Sequence, residues 1–450
     1  MNSEVKVYEY PGGEIQRVQV LRWDDWSQLD FLHMDGNEAA LDCFYDIYRN
    51  YLVPACPWIF GNLIMFQLPD DMELELPFET EKYGAVADKL TAASIALQEG
   101  VRIKQGAPVF KNEAAARLWH ALKKRNCIRI VSGKLPTTKI IPVGNFTGYL
   151  SEQVTDAAMK VNASFFIMDK FDCATVYDQV GTPLGLCVKN GVIENPPLFN
   201  REALLVKEDG SVSIEEVDVR ELEIEINGKR YKHGKNATIY SRPEMARTPN
   251  DKRKKLVIIG CRVAAVKDGG SVPIPASGFV MSVEAGAEFD GAVAGDFVTY
   301  RGLDDIKFGI QVGNSIVRDG VKTEHFISRF YNISRLERVP FPPSLYPMNF
   351  EKARAARMAL GADKDGKPML FWAEGAGKLG YTPGEDSTGA SLKEMAEIAV
   401  DLGMVNAVNL DGGGSAQILV KNERALRISD RNPADNSDAE RLVPLGLIVR

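Results

Sequence analysis

Hydrophobic and polar positions change rhythm along the chain. Up to residue 100 the pattern is mixed. "NEAALDCFYDIYRNYL" (37–52) sets Ala40, Cys43, Phe44, Ile47, Tyr48 and Tyr51 at helical spacing, and "YGAVADKLTAASIALQEG" (83–100) predicts a second helix closed by Gly100. Residues 101–126 predict a short strand followed by the helix "NEAAARLWHALKKR". From Cys127 the texture turns to short β-rich segments punctuated by glycine and proline. "CIRIVSG", "KIIPVG" and "GDFVTY" read as strands, and "GLCVKNGVI" reads as a hairpin with an Asn-Gly turn. "SIEEVDVRELEIEING" (213–228) alternates apolar and charged residues as a half-exposed strand pair does. The proline-rich stretch 338–353 separates two strand blocks.

One helix is signalled at both ends. "SLKEMAEIAVDLG" opens with Ser391 and Glu394 at capping-box spacing and stops at Gly403. Leu392, Met395, Ala396, Ala399 and Val400 form its expected apolar face. The strand "MVNAVNL" follows directly and runs into "DGGGS", after which "AQILV" resumes as a strand. The expectation is an α+β fold of mixed, mostly antiparallel sheets with packed helices over 127–450, preceded by a smaller mixed α/β domain over 1–126.

Composition narrows the function classes. A hydrophobic fraction of 45%, with 26% charged residues, describes a globular chain, and the net charge of −7 gives no support to a nucleic-acid partner. The basic run "DKRKKL" (251–256) reads as a solvated turn before a strand. Six widely spaced cysteines without a C-x-x-C pair propose neither a zinc site nor a redox pair, and the four histidines stand alone. No run of 18 apolar residues predicts a membrane span, and no signal-peptide pattern opens the chain, so a cytoplasmic protein is expected, with envelope or phage-particle association as the alternative. The oligomeric state is left open.

Three glycines behind Asp411 exceed what a tight turn requires, since a single Asp-Gly would suffice. A nucleotide-binding P-loop lacks its Lys-Ser/Thr and its following helix here. The third reading, beside which the tight turn stays open, is a ligand loop, where backbone N–H groups approach an anionic oxygen while Asp411 enters a pocket.

The segment "NLDGGGSA" (409–416) resembles the signature of the phosphodiester glycosidase family, and "VNASFF" (161–166) resembles an upstream Asn-Gly-Gly-aromatic motif, with Ala163 and Ser164 in place of glycines. "PLGLCVKNGVI", "IPASGFVMSV", "QVGNSIVRDGV", "ARMALGADKDGKPMLFWAEG", "RISDRNP" and "ERLVPLGLIV" continue the likeness in order, from about residue 127 to 450. The resemblance implies hydrolysis of a sugar C1–O–phosphate linkage. Such chemistry needs a carboxylate near C1 and cationic or N–H donors around the phosphoryl oxygens.

Asp411 is the first candidate carboxylate, and Glu374, which also ends an apolar strand before a glycine, is the second. Arg357 and Arg441 stand where the resemblance aligns arginines and are the candidates for phosphate, together with the N–H groups of Gly412, Gly413, Gly414 and Ser415. Asn162 and Asn314 are candidate sugar- or phosphate-contacting amides, and Asp430 is an additional carboxylate. No cofactor is expected. A calcium or magnesium ion at Asp411 would suit oxygen ligands, although no ligand spacing supports one. The expected substrate is an N-acetylhexosamine-1-phosphodiester in a bacterial surface glycan. The alternatives are an ordinary glycoside hydrolase using the same site and a non-catalytic glycan- or wall-binding module.

Overall fold

The computed structural model describes residues 1–34, 148–324 and 353–450, apart from short breaks, and isolated strand pieces between 66 and 139. The helices expected at 37–52 and 83–100, the helix after residue 110 apart from Glu113 and Ala116, and the proline-rich stretch 338–353 apart from Ala353 lie outside the described residues. The pieces inside the "VRIK" and "APVF" runs, Val101–Lys104 and Ala107–Phe110, pair as an antiparallel hairpin.

A seven-stranded sheet forms the centre of the molecule, in the order Asn2–Glu9, Ile15–Arg22, Pro368–Ala373, Arg357–Asp363, Met404–Leu410, Ser315–Arg318, Val321–Lys322. All its neighbours are antiparallel. The middle strand, "RMALGAD", is buried along nearly its whole length because both faces of the sheet are covered. Side-chain alternation divides it between two cores. Met358, Leu360 and Ala362 face inward with Trp372, Val408 and Leu410, against Leu29, Val161, Ile418 and Leu447 of a second sheet. Ala359 points the other way, with Phe371 and Ala407, against the helix. The second sheet has the order Ile418–Val420, Met159–Asn162, Leu445–Val449, Leu29–His33 and is also antiparallel.

The helix Leu392–Asp401 carries the expected capping box: Ser391 Oγ accepts from Glu394 N–H at 3.2 Å and Glu394 Oε2 accepts from Ser391 N–H at 2.8 Å. Its buried face is Leu392, Met395, Ala396, Ile398 and Ala399; Val400, assigned to that face from its spacing, is exposed. This is the one α-helix among the described residues, so the expected α+β fold with packed helices is replaced by a mainly β architecture. Helical periodicity is strong in a single segment, whereas the remaining elements are strands, paired as local hairpins and across long range.

Residues 1–34, assigned from sequence to a separate first domain, contribute three strands to these same two sheets. Ile15–Arg22 pairs with Pro368–Ala373, and Leu29–His33 pairs with Leu445–Val449.

Residues 187–310 extend the β structure through a five-stranded sheet and two smaller ones. The Asn-Gly hairpin is present between Cys187–Lys189 and Val192–Asn195, with Asn190 and Gly191 at φ of 48° and 74°. The alternating stretch 213–228 does not pair with itself. Val212–Val217 joins Arg201–Lys207, and Glu223–Ile226 joins Lys229–Lys232 and Thr299–Arg301. A 3-10 turn, Val219–Glu221, intervenes, and Asp218 caps it by accepting from Arg220 N–H at 2.9 Å. The basic run is not a solvated turn but part of the strand Asp251–Ile259. Its cations are neutralised in place: Arg253 pairs with Asp251 and Glu284, and fully buried Lys255 reaches Asp251 at 2.5 Å and the Gly270 carbonyl at 2.7 Å.

Candidate active site

In the large sheet, Arg357 opens its strand where the neighbours on either side end. Arg357 lies opposite Ala373 and Met358 opposite Leu410, so Glu374 and Asp411 each stand one residue past a strand end at the same edge. The main chain then leaves the sheet. Asp411 N–H donates to the Ala163 carbonyl at 3.0 Å, bending the loop toward the second sheet.

Residues 413–415 form a single 3-10 turn. Gly413 has φ of 59°, a conformation costly for a residue with a Cβ. Gly414 is required for a different reason, because a Cβ there would overlap the Asp430 carboxylate and the Arg441 guanidinium. The turn places Ser415, fully buried, between Asp411 and Arg441. Arg441 Nη1 donates to Ser415 Oγ at 3.3 Å, while its Nε and Nη2 hold Asp430 Oδ2 at 3.0 and 2.7 Å.

Asp411 is 2% exposed. Burial pushes its carboxyl up to about 7; hydrogen bonds from the Ser415 hydroxyl and Gly412 N–H, and the charge of Arg441, pull in the opposite direction. Its Oδ2 is buried with no hydrogen-bond partner among the described residues. The carboxylate is thus held through one oxygen, while the other is buried without a partner among the described residues.

The other sequence candidates take different places. Asn162 brackets the loop, its amide donating to the Asp411 carbonyl at 2.9 Å and its Oδ1 accepting from Gln417 N–H at 3.0 Å. Glu374 joins three segments: Oε2 accepts from Arg17 at 2.9 Å and Ser387 Oγ at 2.6 Å, and Oε1 accepts from Arg427 N–H at 2.8 Å. Arg357 is buried, which lowers its pKa to about 10, and it donates to the carbonyls of Ala390 and Ala353, each at 3.0 Å. Asn314 accepts from Asn409 N–H through its main-chain carbonyl at 3.0 Å. Of the loop amides expected to meet an anion, three are engaged within the protein. Gly412 N–H bonds Asp411 itself, Gly413 N–H bonds the Ala356 carbonyl at 2.7 Å, and Ser415 N–H bonds the Gly412 carbonyl at 3.2 Å. The structure therefore gathers Asp411, Ser415, Arg441 and Asp430 around Gly414, while Asn162 and Glu374 hydrogen-bond to other parts of the protein.

Three buried polar atoms near this loop were not singled out from sequence. Ser164 Oγ, Asn409 Oδ1 and Ser429 Oγ have no partner among the described residues. Ser429 precedes Asp430, and Asn409 precedes Asp411 by two. Nothing in spacing marks them; their signal is burial without a bond. Among the described residues no group of three His, Cys, Asp or Glu side chains is arranged to hold a metal ion, and no helix is long and apolar enough to cross a membrane.

The two packed sheets thus carry a buried acid, a hydroxyl and an arginine around a glycine turn at their strand ends. The family model described as phosphodiester glycosidase matches residues 222–450, and the chain belongs to that family. The N-acetylglucosamine-1-phosphodiester alpha-N-acetylglucosaminidases of Mus musculus and Homo sapiens are each 38% identical to it over 81 residues, 18% of this chain. The chain spans only 14% of the length of these curated relatives. The zebrafish enzyme of the same name, solved as a catalytic domain auto-inhibited by its pro-peptide, is 15% identical with a TM-score of 0.34, covering 68% of this chain and 67% of that one.

Proposed function

We propose that the protein is a hydrolase that cleaves a sugar C1–O–phosphate linkage, with Asp411 as its working carboxylate. The observation that carries this reading is the state of Asp411: buried, titrating near 7, and with one carboxylate oxygen unpartnered at the end of the family's signature strand. In the proposed reaction, a water oxygen bonds to C1 as the C1–O bond breaks and the phosphate monoester leaves with the electron pair. Ionised Asp411 stabilises positive charge at C1 and takes up the water proton. Since a phosphate monoester leaves more readily than an alcohol, strong protonation of the leaving oxygen is less necessary than in ordinary glycoside hydrolysis. Arg441, partly exposed and fixed by Asp430, supplies positive charge for the departing group.

For the substrate we propose an N-acetylhexosamine-1-phosphodiester, by analogy with the relatives' printed activity, carried in a bacterial surface glycan. The test is to assay GlcNAc-1-phosphate diesters beside p-nitrophenyl glycosides. Release of GlcNAc from the diesters is the expected result; turnover of the glycosides alone would defeat the proposal.

A further inference from the structure

We propose that Ser164 is a specificity-determining residue of this site, its hydroxyl donating a hydrogen bond to an oxygen of the bound sugar phosphate. The assignment rests on the hydrolase reading above and adds a contact to it. Ser164 is 3% exposed, and its Oγ has no hydrogen-bond partner among the described residues. A buried hydroxyl left without a partner carries a desolvation penalty, which a ligand oxygen would offset.

Its position relative to Asp411 follows from the chain on either side. Asp411 N–H is bonded to the carbonyl of Ala163, the preceding residue. Side chains here alternate. Val161, Ala163, Phe165 and Ile167 enter the core between the two sheets. Asn162 turns instead to the loop, holding the Asp411 carbonyl and Gln417 N–H, and Phe166 packs with Leu419 and Val443. Ser164 stands between Asn162 and Phe166 in this alternation. A second orphaned atom, Asp411 Oδ2, lies on the segment bonded to Ala163. Ser164 and Asp411 thus stand on hydrogen-bonded neighbouring segments, and each carries a buried polar atom without a partner among the described residues.

Ser164→Ala tests the idea because it removes only the unpartnered oxygen. KM for a GlcNAc-1-phosphate diester is expected to rise about 10-fold with kcat little changed, as for one lost hydrogen bond to substrate, and the melting temperature is expected to stay level or rise. Calorimetric titration of wild type and variant with N-acetylglucosamine-1-phosphate, and separately with inorganic phosphate, gives a readout that does not need turnover. Weakening toward the sugar phosphate alone places the contact on the sugar, and weakening toward both places it on the phosphoryl group; each supports the assignment. An unchanged KM with unchanged binding overturns it, as does a lower melting temperature with unchanged KM. If wild type binds the sugar phosphate and Ser164→Ala does not, yet no diester is hydrolysed, the hydrolase reading fails while the contact stands.

Discussion

Asp411 and Arg441 meet through a single hydroxyl. Ser415 Oγ accepts from Arg441 Nη1 at 3.3 Å and hydrogen-bonds the Asp411 carboxylate, so the cation acts on the acid across one side chain. Both partners lower the carboxyl's pKa against the upward push of burial. Removing either should let burial dominate further. In Ser415→Ala and Arg441→Leu, the limb of the pH–rate profile that belongs to Asp411 is expected to lie above its wild-type position near 7. A limb that stays in place in both variants would detach Asp411 from the profile.

Asp411→Asn is expected to lower turnover by roughly 10³-fold or more while leaving the fold intact. Its effect on stability depends on pH with a definite sign. The folded-state pKa is raised from 3.8 to about 7, so the folded protein binds more protons than the unfolded chain between those values. Stability from this group is therefore lost as pH rises through that window, and the penalty is complete above about 7. Its upper bound is roughly 4 kcal/mol. Urea denaturation at pH 5 and pH 8 should show wild type losing stability relative to Asp411→Asn on going to the higher pH.

Glu374 presents a choice that one variant resolves. Its carboxylate gathers Arg17, Ser387 and the main chain at Arg427, which ties the first 22 residues to the end of the chain. Glu374→Ala is expected to cost about 3 kcal/mol, as for losing hydrogen bonds to a buried carboxylate, read as a lower urea midpoint. Turnover per folded molecule in Glu374→Gln then separates bracing from chemistry. A fall of about 100-fold at unchanged stability would make it a second working acid.

Gly413→Ala and Gly414→Ala should fail differently. At Gly413 the penalty is backbone strain of roughly 1–2 kcal/mol, with the Arg441–Asp430 pair in place. At Gly414 the new methyl displaces that pair, so a larger loss of activity than of melting temperature is expected. Equal effects of the two substitutions on kcat/KM would contradict the close approach seen at Gly414.

The strand, turn and strand around the candidate carboxylate were legible in the sequence. "NLDGGGS" marked Asp411, and its strand, turn and strand are all present. Asn162 and Glu374 were legible as polar residues at strand ends, but only the packing shows their atoms occupied by the protein itself. Ser164, Asn409 and Ser429 stayed unmarked because a hydroxyl or amide is ordinary in a sequence and becomes unusual only when buried without a partner. The fold class went astray for a related reason. Helical spacing spoke clearly near residue 392, whereas two of the three strands in residues 1–34 join the sheets through partners more than 300 residues away.

The sequence by itself determined what is local: the capped helix at 391–403, the Asn-Gly hairpin, and the strand that runs into Asp411 and its glycines. These depend on neighbours a few residues apart, whose backbone preferences and hydrogen bonds are written in order along the chain. The tertiary structure alone decided which strands share a sheet, that Arg357 is buried on carbonyls while Arg441 is turned to Asp411 through Ser415, and that the carboxyl is pushed up toward neutrality. Burial and charge proximity are properties of distance in space, and antiparallel pairing brings together residues that no sequence spacing relates.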